Sequence, residues 1–266
     1  MIRSRTLLFV CLAGLLAVHG CSDQVDTGSS TTVTRAGLGA TVDVDKGTIS
    51  MVLADGGKAL VTLLPLAKAS PDPTAIPAVG LAFRSAQQDV ETKFGSFHIE
   101  ERDATAWSAV TALRRLPAIG NVRRFEATVA GTQQKATVSL RPLPTGIALE
   151  AAAPAGNTRT SIAFKCRPGE HFIGLGGQSF DVDHRGQSVP LWVSEDGLGK
   201  KTDDQHSDDW TLRGRRHSTH TPMPIFVSSE GYALAVQTTA YTTFHLCSER
   251  DDMVRIEVWE PRLRME

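Results

Sequence analysis

Asp181, Asp183, His184 and Arg185 stand within five positions of one another, inside the stretch Gly174–Trp192, GLGGQSFDVDHRGQSVPLW. Two carboxylates and an imidazole can pass a proton between them, and an arginine beside them can clamp a developing negative charge, so the residue types fit an acid/base group. On an extended segment, residues two apart share a side, which places Asp181 and Asp183 together. The same four residues also fit a purely structural role. Arginine favours bidentate carboxylate contacts, and an internal cluster of ion pairs and hydrogen bonds would lock the loop in shape.

A second concentration of reactive types follows. Asp203, Asp204, His206, Asp208, Asp209, Trp210, His217 and His220 fall between positions 203 and 220. Histidines among aspartates suggest a metal, but their spacings match no standard zinc pattern. They read as a solvated, charged loop over 195–219 that holds no metal, and nothing else in the chain asks for a cofactor. Trp192 and Trp259 have faces on which a sugar can stack, although a tryptophan at a strand end more commonly packs in a core or between domains. Cys166 and Cys247 sit in the strand-like runs AFKCRP and TFHLCSE. They either pair or lie apart as buried thiols, and no base arrangement nearby makes either one a nucleophile.

Something must hold these groups, and the pattern around them is that of strands. Gly174, Gly176 and Gly177 allow close backbone approach at the head of the loop. Before it, Ala136, Val138 and Leu140 alternate with Thr137 and Ser139, the period of a half-buried strand. Asp45-Lys46-Gly47 and Asp55-Gly56-Gly57 supply hairpin turns, and Glu230-Gly231 supplies a two-residue turn between PIFVSS and YALAV. The window 104–116 carries β-branched residues and ends at Pro117, so strand or loop is expected there, not helix. Val254, Ile256 and Val258 alternate with Arg255, Glu257 and Trp259. The expected fold is all-β, a large antiparallel β-sandwich.

With 266 residues, 41% hydrophobic and 21% charged, the chain can bury a substantial core. A net charge of −1 supplies no bulk attraction for nucleic acid. Arg3 and Arg5 precede an apolar run from Leu7 to Val18, too short to span a bilayer and suited to a signal peptide. Val18-His19-Gly20-Cys21 resembles a bacterial lipobox, which would lipidate Cys21; ordinary signal cleavage is the alternative. The expected organisation is a signal peptide over 1–20, a flexible tether over 21–35 and a sandwich over 36–266. The protein is then exported, at the periplasm or cell surface, and meets the membrane only through its lipid.

GEHFIGLGGQSFDVDHRGQSVPLWVSEDGLG, TPMPIFVSSEGYALAVQTTAYTTFHL and VRIEVWE together resemble the N-terminal domain of glycoside hydrolase family 31, in its bacterial α-glucosidase and sulfoquinovosidase-like branch. The likeness is strong over 158–260 and weaker over 36–157. It implies a galactose-mutarotase-like β-sandwich, followed in the family by a (β/α)₈ barrel that carries two catalytic aspartates for retaining hydrolysis of α-glycosides. No barrel motif appears in this sequence, so the catalytic barrel is expected as a missing or separately encoded partner, and no catalytic residue is assigned to this chain. The resemblance casts Gly174, Gly176, Gln178, Asp183, His184, Arg185 and Trp192 as residues of the loop and its barrel interface. Asp203, Asp204, Asp208, Asp209 and Trp210 become candidate contacts to an α-glycoside. The family's usual GLGEQ reads GLGGQ here, with Gly177 in place of a carboxylate. Two rivals remain: a stand-alone carbohydrate-binding lipoprotein, and an isolated structural fragment with an exposed apolar face.

Overall fold

The structure, a computed structural model, describes residues 24–35, 37–53, 59–68, 70–93, 96–178, 181–194 and 216–266. Among them the regular elements are all strands. In chain order they are β1 (Gln24–Thr27), β2 (Ser30–Arg35), β3 (Leu38–Asp43), β4 (Thr48–Leu53), β5 (Ala59–Thr62), β6 (Leu81–Arg84), β7 (Gln87–Lys93), β8 (Ser96–Arg102), β9 (Ser108–Ile119) and β10 (Val122–Val129). The second half adds β11 (Lys135–Leu143), β12 (Gly146–Ala152), β13 (Arg159–Lys165), β14 (Phe172–Gly176), β15 (Gln187–Leu191), β16 (Pro222–Ser228), β17 (Tyr232–Ala235), β18 (Thr242–Leu246), β19 (Met253–Val258) and β20 (Arg262–Met265).

β1 to β5 form a five-stranded meander in sequence order. A ten-stranded sheet runs β15-β18-β19-β13-β6-β9-β10-β11-β12-β20, and β14-β16-β17 make a third sheet. β7 and β8 pair only with each other, as a separate ribbon. The expected antiparallel β-sandwich is the fold. Its core lies between sheet faces, where Phe83, Phe125, Phe164, Phe172, Phe226 and Phe244 are fully buried. The alternation read in β11 puts Ala136, Val138 and Leu140 on that inner face.

The local turn chemistry explains the meander. Asp43 Oδ1 accepts hydrogen bonds from the N–H groups of Asp45 and Lys46, and Gly47 follows with φ at +59°, so the chain reverses between β3 and β4. β4 and β5 pair as the hairpin expected around Asp55-Gly56-Gly57, although residues 54–58 lie outside the described residues. The window 104–116 is largely strand β9.

Three expectations need correction. Residues 24–35, read as part of a flexible tether, form β1 and β2, and β2 pairs in full with β3. The Ser/Thr-rich run alternates after all: Thr31 and Val33 are buried on the inner face. The turn after β16 has three residues, Ser229 to Gly231, with Gly231 at φ +90°. Finally, β19 is buried on both sides, because Arg255 and Glu257 are covered as well as Val254, Ile256 and Val258.

Candidate functional site

The loop after β14 is shaped by glycine. Gly174 has φ +137°, and a Cβ built on it would lie 2.6 Å from Ile225 O. Gly176 has φ +87°, and its Cβ would lie 2.0 Å from Thr221 O. Only glycine allows β14 to come this close to β16 while turning out of register, and the pairing shifts at that point. Gly177 is close-packed too. A Cβ there would meet Thr221 Oγ1 at 2.6 Å and Thr219 Oγ1 at 3.2 Å, so the space beside this backbone is filled by threonine hydroxyls. That accounts physically for the glycine at position 177.

The charged residues then separate. Asp183 accepts from His171 Nδ1 at 2.6 Å and, through Oδ1, from the N–H groups of Phe172 and Arg185, each at 3.1 Å. Partial burial works against its charge, but these hydrogen bonds hold its carboxyl below the usual range. Asp181 turns to Arg216, whose Nε donates to it at 2.8 Å. Desolvation again opposes the charge, and Arg216 again prevails, keeping the group acidic. His184 is buried, with its Nε2 3.2 Å from Gly174 O. Gln178 donates to Leu175 O at 3.1 Å and sits 3.0 Å from His217 Nδ1. Asp183 and Asp181 thus turn to different partners, an imidazole and a guanidinium, and this arrangement fits the structural lock.

Arg185 departs from the expected carboxylate clamp. Its Nη1 donates to the carbonyls of Arg167 and Glu170 at 3.0 and 2.9 Å, and lies 3.0 Å from Cys166 Sγ. Cys166 and Cys247 are joined as a disulfide across 81 residues, which settles the alternative left open by the sequence. Arg185 thus ties the loop to the β13 exit and to the β18–β19 turn at one point.

Trp192 is half-buried in a row of rings. Phe97 of β8 meets it edge-on at 6.0 Å, Tyr241 lies at 6.4 Å, and Trp259 follows 4.5 Å beyond Tyr241. Arg159 covers the Trp259 ring at 4.1 Å. Both tryptophans therefore pack within the protein, and an open hollow of about 260 Å³ lies beside Trp192, bordered by Pro222, Pro224, Thr238 and Thr239.

Beneath the β7–β8 ribbon runs an ion network that the sequence reading did not single out. Glu101 accepts from Arg84 and Arg159, and Glu257 from Arg84 and Arg255. Arg255 also holds Glu249 and donates to His245 Nε2 at 2.7 Å. A guanidinium has no acceptor, so His245 carries its proton on Nδ1 and donates to Ser188 Oγ at 2.8 Å. The imidazole cannot then take a proton from Ser188, so His245 is not placed as a base for that hydroxyl. Arg84 at the end of LAFR, and charged residues alternating with apolar ones in VRIEV, were the available signal.

The outer face of β14 and β16 was expected only in general terms, as part of the fragment reading. Ile173, Met223, Ile225 and Val227 are 54%, 56%, 43% and 54% exposed, and Ile173 pairs directly with Val227. This contiguous apolar face adjoins the glycine loop. Asp203, Asp204, His206, Asp208, Asp209, Trp210 and Cys21 lie outside the described residues. Among the described residues no group of three or more His, Cys, Asp or Glu is placed to hold a metal.

Comparison with known proteins bears on this site. No family profile matches the chain. A sulfoquinovosidase from Agrobacterium fabrum is 38% identical over 94 residues, 34% of this chain and 14% of that protein. A sulfoquinovosidase from Escherichia coli is 28% identical over 112 residues, 40% of this chain and 16% of that protein. In solved structures, the fold matches a GH31 family sulfoquinovosidase from E. rectale with TM-score 0.60 and 19% identity, covering 83% of this chain and 31% of that one. The chain thus spans well under half the length of each of these three proteins.

Proposed function

Since the chain carries a sulfoquinovosidase-like domain of glycoside hydrolase family 31, we propose that it is the N-terminal, carbohydrate-associated sandwich of an exported α-glycoside hydrolase whose catalytic barrel lies outside this sequence. The observation that carries the reading is the apolar face of Ile173, Met223, Ile225 and Val227 beside the glycine loop. An apolar patch on a sheet whose other side is already packed on the core marks a surface made to be covered. The carboxylates around the loop are committed to His171 and Arg216, so hydrolysis is supplied from elsewhere. In this reading the loop over 195–219, with Asp203, Asp204, Asp208, Asp209 and Trp210, leans toward the substrate. Cys21 carries the lipid that anchors the protein.

The test is activity toward α-glucosides and sulfoquinovosides, measured for this chain alone and for the chain co-expressed with the reading frame encoded after it. Hydrolysis only in the combined preparation, lost when two barrel aspartates are replaced, is expected. Turnover by the chain alone overturns the reading. A stand-alone carbohydrate-binding lipoprotein is favoured by one observation, the open hollow beside Trp192. It requires saturable sugar binding by calorimetry with no hydrolysis in either preparation.

A further inference from the structure

The Cys166–Cys247 disulfide has a cation beside it. Arg185 Nη1 lies 3.0 Å from Cys166 Sγ and 3.5 Å from Cys247 Sγ. The other contacts of that side chain are the carbonyls of Arg167, Glu170 and Asp251, so among the described residues no carboxylate pairs with its charge. A guanidinium without a carboxylate partner does little for a neutral disulfide. It does much for the thiolate that appears when the bond is reduced, because a nearby cation favours the charged form. A disulfide whose reduced state is stabilised in this way is the more readily reduced.

The backbone adds a second feature. Cys247 holds φ at +58°, a left-handed conformation that a residue with a Cβ resists. It opens the turn to β19, where Arg250, Asp251 and Asp252 are exposed. Both cysteines are themselves buried, so a reductant reaches Cys247 from the side of that turn.

The contacts also show what the bond holds. Cys166 follows β13 and Cys247 follows β18, 81 residues later. Arg185 is anchored on both sides of the bond, to Arg167 O and Glu170 O near Cys166 and to Asp251 O beyond Cys247. Cutting the bond lets these two anchoring segments part, and one guanidinium then cannot hold both.

We propose that Cys166–Cys247 is a redox-sensitive bond, poised by Arg185, whose reduction by a dithiol releases the loop between β14 and β15. A thiolate of the dithiol attacks Cys247 Sγ and forms a mixed disulfide. Cys166 Sγ leaves with the electron pair of the broken bond, as a thiolate beside Arg185. The second thiol of the reductant loses its proton to water and displaces Cys247 Sγ, which leaves as a thiolate and takes a proton from water. The reductant ends as its own disulfide, two electrons poorer. This switch is built from the loop and its anchors and does not depend on the proposed hydrolase reading.

The experiment uses the full chain, oxidised and equilibrated without denaturant against mixtures of reduced and oxidised dithiothreitol. Thiols are assigned by alkylation and peptide mass spectrometry, and folding is followed by circular dichroism. Cys166 and Cys247 should be reduced together in the folded parent. Arg185→Gln should need a reduced-to-oxidised ratio about tenfold higher, the factor by which a neighbouring cation favours a thiolate. Arg185→Lys, which keeps the charge, should stay near the parent. Backbone amides at 183–187 and 248–252 should exchange faster in the reduced parent, while those of β11 stay protected. In the reduced parent, alkylation of Cys166 should rise with pH at a midpoint well below the ordinary thiol value of about 8.5, a reading that needs no variant to fold. Reduction only after unfolding, equal ratios for the parent and Arg185→Gln, unchanged exchange in the loop, or a Cys166 midpoint at or above the ordinary value each overturns the proposal.

Discussion

Arg185 Nη1 lies 3.0 Å from Cys166 Sγ, so the loop between β14 and β15 is fastened where a disulfide already joins the β13 exit to the turn before β19. The same guanidinium donates to the carbonyls of Arg167 and Glu170. Its Nη2 also donates to Asp251 O at 3.4 Å, so one side chain bonds backbone groups on segments far apart in sequence.

Removing it should therefore cost more than a surface arginine. Arg185→Met removes the charged donor from both carbonyls, leaving Arg167 O only the Glu170 N–H at 3.2 Å, and hydrogen bonds from a charged group are each worth about 1.5–3 kcal/mol. The expected loss is about 3 kcal/mol by urea denaturation. Arg185→Lys should recover only part of it, because an ammonium lacks the fork. A change below about 0.5 kcal/mol would show that water replaces the contact.

The disulfide itself closes a long segment. Cys166→Ala with Cys247→Ala should lower stability by about 2–5 kcal/mol, and a reductant should have the same effect on the parent but none on the double variant.

The glycine loop offers a contrast within one region. Gly176→Ala forces a Cβ to 2.0 Å from Thr221 O at φ +87° and should cost about 3 kcal/mol. Gly186→Ala, at φ +76° with nothing within 4 Å, should cost only about 1 kcal/mol. Equal thermal shifts would contradict the close approach of β14 to β16.

His245 predicts the pH dependence. Burial first, and then the charge of Arg255, push its pKa from 6.5 down to about 4. Above pH 6.5 it is neutral in both folded and unfolded chains and makes no difference. Between about 6.5 and 4 the unfolded chain takes up a proton that the folded one refuses. Stability should fall over that window, by an amount on the order of 3 kcal/mol. His245→Gln should flatten this part of the profile while leaving the steeper loss below pH 4, where paired carboxylates such as Asp183 protonate.

The exposed face of β14 and β16 should behave as a sticky patch. Ile173→Ser with Val227→Ser is expected to reduce dye binding and self-association while moving the melting temperature by no more than about 2 °C. A large loss of stability would mean that the face is already covered by this chain.

Much of the fold was legible in advance. Period-two alternation marks β11, the turn residues mark the β3–β4 and β4–β5 hairpins, and three blocks from Gly169 to Glu260 carry the family resemblance. The tether was misjudged because Ser30 to Arg35 has no apolar stripe of its own. Its strand character comes from pairing with β3, and from burying Thr31 and Val33 under another sheet.

The types of residue near the loop, and the glycines that shape it, were decided by the sequence, because backbone freedom and side-chain chemistry are local properties. The partners were not. Asp183 meets His171, Asp181 meets Arg216, and Arg185 finds carbonyls and sulfur in place of a carboxylate, all across sheet contacts that spacing along the chain does not encode. Whether four charged neighbours form a catalytic group or a lock depends on which cations reach which carboxylates. Strand order and register set those distances, so only the tertiary structure could assign each charged side chain its partner.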